Sequence, residues 1–212
     1  AGRAGSGQEG QEGQGSGQAS GFFGRDLARV VAGVLGAAAR FVVAGRRPSF
    51  MSDEITFAVP TYPTSWQAID GWTDFEDIYV EAVTHCPPGA VLVEVGTWFG
   101  RSAALMCSTI REQNKPVSFF CVDTWKGTQS GECKESHQKI VAALGGDMFD
   151  TFHHNLHYWR GLYVPLRMTS QQASELFPEH SVHFVFLDGD HTTEGVLKDI
   201  DCWRSKIISG GV

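Results

Sequence analysis

Three short apolar runs constrain this chain more than any other feature: Ala90–Val95, Val117–Val122 and Val182–Leu187. Each is continuous rather than alternating and rich in Val, Leu or Phe, the pattern of a strand buried on both faces. Between the first two lies Ser102–Gln113, of helical length and pattern. Leu162–Met168 is a weaker strand candidate, followed by the short helical stretch Gln171–Phe177. Thr193–Arg204 reads as an amphipathic helix with Val196, Leu197, Ile200 and Trp203 on one side. Upstream, apolar residues at helical spacing predict a helix over Phe75–Thr84, stopped by Cys86-Pro87-Pro88-Gly89. Strands alternating with helices imply an α/β fold, a parallel sheet covered on both faces by helices.

That architecture occupies only the later part of the 212 residues. Residues 1–24 are Gly/Gln/Ser repeats that cannot bury enough apolar surface to offset the entropy of ordering, so they are expected to be disordered. Phe22–Arg47 is rich in Ala, Val and Arg, with Arg29 and Arg40 breaking every run that approaches membrane-spanning length. It reads either as an Arg-rich organelle-targeting segment or as sequence translated upstream of a start at Met51. The division expected is therefore 1–50 as an extension and 51–212 as the folded domain. Charge divides the same way. Six arginines against three acids give residues 1–50 a net +3, which leaves −10 for the remainder of a chain whose total is −7.

So acidic a domain argues against a phosphate-binding surface, and nucleic acid is not an expected partner. Five cysteines (Cys86, Cys107, Cys121, Cys133 and Cys202) are widely spaced without a C-x-x-C pair. They predict neither a disulfide framework nor a zinc site, and a reducing, cytoplasmic compartment unless residues 22–47 direct import.

The residues with chemistry gather where strands end. Glu94-Val95-Gly96-Thr97-Trp98-Phe99-Gly100-Arg101-Ser102 closes the first strand and opens a helix. Ligands in open α/β sheets bind outside such carboxyl ends. Gly96 permits a tight turn and Gly100 close packing of the helix. The spacing is G-x-x-x-G, not the G-x-G-x-x-G that sets a helix N-terminus against a pyrophosphate. Glu94, a buried acid at a strand end, is expected to have a cationic partner. Asp123 ends the second strand, 29 residues after Glu94. It suits either a turn cap or an acceptor for ribose hydroxyls, with Trp125 placed to stack on a base. Ser170 and Gln171 follow the next strand and can cap a helix or meet the edge of a base. Leu187-Asp188-Gly189-Asp190-His191 closes the last strand, where its acids and imidazole can bind a cation, act as a base or cap the next helix. His153 and His157 lie one turn apart, but no third ligand follows, and they read as a solvated helix face.

In this order and spacing, these segments resemble class I, Rossmann-like methyltransferases of the methyltransferase 24 and catechol O-methyltransferase-like branch. The resemblance covers roughly Trp66 to Val212 and implies S-adenosylmethionine as cofactor. That molecule carries no phosphate, and its amino-acid end presents an ammonium and a carboxylate. The resemblance implies that Glu94 and Gly96 hold this end with Ser102 nearby, that Asp123 meets the ribose, and that Ser170 and Gln171 lie near adenine. Thr97, Trp98, Gly100 and Trp125 complete the expected cofactor site. Asp188 and His191 are the candidate catalytic base. In metal-dependent relatives the acid at the position of Asp188 is a magnesium ligand whose fellow ligands come from the next strand. This sequence stops at Ile208–Val212, where that strand should begin, so the sheet is expected to lack its last strands. The activity implied is methyl transfer to a hydroxyl or amine of a small molecule or sugar. Two other readings stand beside it: a nicotinamide-dependent oxidoreductase, which the missing G-x-G-x-x-G disfavours, and a non-catalytic binding domain, which the paired strand-end acids disfavour.

Overall fold

A computed structural model describes residues 61–129, 131 and 134–212. The expectations for residues 1–50 lie outside that range. Four strands form one parallel sheet: β1 (Val91–Val95), β2 (Ser118–Asp123), β3 (Val164–Arg167) and β4 (Phe184–Leu187), in the order β3-β2-β1-β4. All three β runs appear within two residues of their expected bounds. The helices are α1 (Glu76–His85), α2 (Arg101–Glu112), α3 (Lys134–Ala143), α4 (Phe149–Asn155), α5 (Ser170–Ser174) and α6 (Thr193–Trp203). This is the expected α/β, Rossmann-like arrangement, with α3 as the helix the sequence did not announce.

Alternation along the buried strands sends successive side chains to opposite faces. Leu92, Phe119, Cys121 and Phe184 join the core beneath α1 and α2, with Tyr79, Val83, Ala103 and Met106. Glu94 shares the parity of Leu92 and points into that layer, where Ser102 of α2 meets it. On the other face, Phe120 meets Phe177 edge to face, and Phe177 in turn meets Trp203 of α6.

The helix α6 forms as expected, but its apolar side divides: Val196, Leu197 and Ile200 are 41%, 57% and 45% exposed, while Trp203 is buried together with Gly195 and Asp199. Close fits set the helix phase. A side chain at Gly195 would collide with Asp190, and the Trp203 indole N–H donates to Ser170 Oγ at 2.9 Å. Those two contacts turn the Gly195–Asp199–Trp203 row inward. The outer edge of β4 is not bare. Val212 donates to His183 O at 3.1 Å and accepts from Val185 N at 2.8 Å, and Ile207 makes a parallel bridge to Val182.

The segment before α1 is pinned across α2 by one residue. Arg101 donates to Thr73 Oγ1 and Ile69 O at 2.9 and 2.8 Å, and its guanidinium lies over the Trp66 ring.

Candidate functional site

Strand order reverses between β1 and β4, and the crevice outside that point is where open α/β sheets receive ligands. A cavity of about 690 Å³ opens there, lined by the ends of β1 and β2 and by segments that follow all four strands, among them Gly96, Asp123, Met168, Ser170, Gln171 and Asp190. Its size lies in the range of small-molecule sites. Among the described residues, Asp123, Asp190, Glu194 and Asp199 line it against a single cation, Lys198, which is itself paired with Glu194. Such a wall favours a cationic ligand and disfavours a pyrophosphate.

Gly96 is the hinge of the crevice. Its φ of 89° is left-handed, and a Cβ there would run into the backbone of Asp188 and Gly189. Only glycine lets the loop after β4 close over the end of β1. Gly100 caps α2 in the same left-handed region, and a Cβ there would strike Leu156.

Asp123 lines the cavity and also ties two loops together. Its Oδ2 accepts from Thr97 N and Trp98 N at 3.0 Å each, and its Oδ1 accepts from Trp125 N at 2.7 Å. Burial raises its pKa, and the backbone N–H groups pull it back. The carboxylate is thus a turn-building acceptor, one of the two roles left open by the sequence.

Trp125 is placed differently from expectation. It is fully buried, its ring packed against Phe149 and Phe152 and its N–H donating to Trp98 O at 3.1 Å. Enclosed on every side, it has no face to offer a base. Trp98 lies against Phe99 and His137 outside the cavity wall, and Thr97 is buried beneath its own loop.

Glu94 is also corrected in its surroundings. It is 1% exposed and off the cavity wall, and its partner is neutral: Ser102 Oγ donates to Oε1 at 2.6 Å. Burial pushes its carboxyl up to about 8, against the pull of the Ser102 and Tyr79 hydroxyls. The expected cation is replaced by a proton, because protonation costs less than burying an unpaired charge.

Ser170 and Gln171 both reach the cavity, yet neither is the cap of α5. That role falls to Thr169, whose side chain accepts from Gln172 N while Gln172 reaches back to the Thr169 N–H. Ser170 accepts from Trp203, and Gln171 donates to Asp199 Oδ1 at 3.2 Å. Asp199, Glu194 and Lys198 are cavity residues that the sequence reading passed over. The faint signal was Gly195 four residues before Asp199, a bare row on a helix otherwise rich in apolar residues.

Asp188 and His191 sit together at the rim, Oδ1 to Nε2 3.5 Å, outside the cavity lining. Burial raises the Asp188 carboxyl and the neighbouring imidazole lowers it. No three ligand-type side chains converge on a metal position among the described residues. His153 and His157 do not pair as ligands either: His157 stacks on Tyr62 at 3.6 Å, and His153 lies within 3.3 Å of the Tyr163 hydroxyl.

An uncharacterized protein of Sinorhizobium fredii, y4gI, is 27% identical over 118 residues, which are 55% of this chain and 12% of that protein. The chain thus spans about an eighth of the length of that relative. The O-methyltransferase NovP superposes with a TM-score of 0.46 at 17% identity, over 64% of this chain and 61% of its own. A family model described as a methyltransferase domain matches residues 93–212, more than half of the chain, and the chain belongs to that family.

Proposed function

We propose that the described domain is the S-adenosylmethionine-binding part of a methyltransferase acting on a hydroxyl or amine of a small-molecule or sugar acceptor. The observation that carries this reading is the acid-walled cavity at the β1/β4 reversal, in a chain of the methyltransferase-domain family. The residues fit the cofactor, whose ammonium and sulfonium are both cationic. They do not fit a nicotinamide dinucleotide, whose pyrophosphate would face four carboxylates against one lysine that is already paired.

When bound, the cofactor supplies a methyl group already activated on a sulfonium. What remains for the chain is to bind, to align and to take up a proton. Asp123 offers its remaining lone pairs to ribose hydroxyls, while its N–H contacts keep the β1 and β2 loops in register. Ser170 and Gln171 meet the adenine edge. Gly96 and Ser102 border the amino-acid end, with Glu94 behind Ser102. His191 takes the proton lost by the acceptor, held and polarised by Asp188. The compartment is a reducing one, in keeping with free thiols at Cys86, Cys107, Cys121 and Cys202. Among the described residues no helix is long and apolar enough to cross a membrane.

Titration of tryptophan fluorescence with S-adenosylmethionine, S-adenosylhomocysteine and NAD separates the readings. Saturable quenching by the first two and none by NAD supports the proposal. Saturation by NAD alone overturns it.

A further inference from the structure

Tyr79 lies on α1, upstream of the matched residues 93–212. Its ring is fully buried, edge-on to Phe184 and Phe186 with centroids 5.9 and 5.1 Å away, and beside Phe75 at 5.2 Å. So confined, its hydroxyl cannot turn to water. That hydroxyl and Glu94 Oε2 are both buried without a completed hydrogen bond. They nonetheless act on one another, Tyr79 lowering the Glu94 pKa and Glu94 raising that of Tyr79. Everything else titratable that faces Glu94 is acidic or neutral: Asp123 and Asp188 at adjacent strand ends, and the buried thiols Cys107 and Cys121. Among the described residues no Lys, Arg or His forms an ion pair with it. Ser102, which holds the other oxygen, is only half-buried and belongs to the loop-facing turn of α2.

A buried acid facing two hydroxyls and no cation has donors for its carboxylate but no counter-charge. Resting on the cofactor reading above, we propose that Tyr79 is a positioning residue for the cofactor's amino-acid end. Burial without a cationic partner keeps Glu94 a neutral acid in the free protein, and the Tyr79 hydroxyl supports its carboxylate when a cationic group binds, so that binding releases one proton. In the free state the Glu94 O–H is intact. On binding, that O–H bond breaks, the proton passes to solvent, and the carboxylate accepts from both Tyr79 and Ser102. The ligand's positive charge replaces the proton as the counter-charge.

Isothermal calorimetry of the full chain with S-adenosylmethionine, run at pH 7 in buffers of different ionisation enthalpy, reads the proton directly. Most of one proton should be released per ligand bound, and affinity should rise with pH by up to about tenfold per unit until the acid is ionised. The ligand's own amine titrates in a neighbouring range, so two variants apportion the signal. Glu94→Gln should bind more weakly and release no proton from this site. Tyr79→Phe removes one hydroxyl donor from the carboxylate and should move the midpoint of the affinity–pH curve upward by roughly one unit, without touching the ligand's amine. Wild-type binding that is independent of buffer, or a Tyr79→Phe curve superimposed on wild type, overturns the proposal and leaves the cofactor reading standing. Absence of binding at every pH defeats both.

Discussion

Replacing Glu94 with glutamine should stabilise the free protein at high pH and leave it almost unchanged at low pH. The acid is 1% exposed, and its carboxyl is pushed from the ordinary 4.5 to about 8. Between those values the folded chain keeps a proton that the unfolded chain has released, so stability falls as pH rises. Each pH unit in the interval costs the wild-type fold about 1.4 kcal/mol. Glutamine is a neutral isostere and carries no such cost. The gap between variant and wild type should therefore be near zero at pH 4.5, about 3 kcal/mol at pH 7 and about 4–5 kcal/mol above pH 8. Urea unfolding of both proteins at several pH values measures it. Other carboxyls raised by burial, such as Asp123 and Asp199, are common to both proteins and cancel in the difference. Parallel pH curves for the two proteins would refute the reasoning, since they would show that Glu94 is ionised throughout.

Asp123→Asn should cost about 2–3 kcal/mol in urea unfolding, because one face of the amide would set an NH₂ against backbone donors from Thr97, Trp98 or Trp125. It should also weaken S-adenosylmethionine and S-adenosylhomocysteine by similar factors, which parallel calorimetric titrations can check. Leu197→Glu should shift stability by no more than about 0.5 kcal/mol, as expected of an exposed position, whereas a buried leucine would lose several times that. Gly96→Ala should lose about 2 kcal/mol or more in thermal or urea unfolding, through its left-handed φ and the collision with the loop after β4. Trp125→Phe should lower the melting temperature while leaving the S-adenosylmethionine affinity within twofold of wild type, since the indole is core; a larger loss of affinity would restore Trp125 to the site.

The sheet was legible because continuous apolar runs such as Ala90–Val95 have few other uses, and because helix-length segments between them force parallel pairing. What periodicity could not supply was phase. Val196, Leu197 and Ile200 share a helical face, but which face turns inward was decided by Gly195 against Asp190 and by Trp203 reaching Ser170. α3 was missed because Lys134–Ala143 buries little beyond Val141 and so carries a weak apolar pattern. In the site, positions were readable and partners were not. Glu94 and Asp123 fall at strand ends as expected, but which groups meet them depends on loop backbone and on α1. Tyr79, spaced four residues from Phe75 and Val83, is indistinguishable in sequence from an ordinary core residue. Trp125 illustrates the converse, an aromatic beside a strand-end acid that the fold spends on the core.

Equilibrium dialysis of the full chain against labelled S-adenosylmethionine, with S-adenosylhomocysteine or NAD as competitor, decides which cofactor the cavity takes. Saturation near one ligand per chain is expected, with displacement by S-adenosylhomocysteine and none by an equal concentration of NAD. Retention of no label by folded protein, or displacement by NAD as effective as that by S-adenosylhomocysteine, would contradict it.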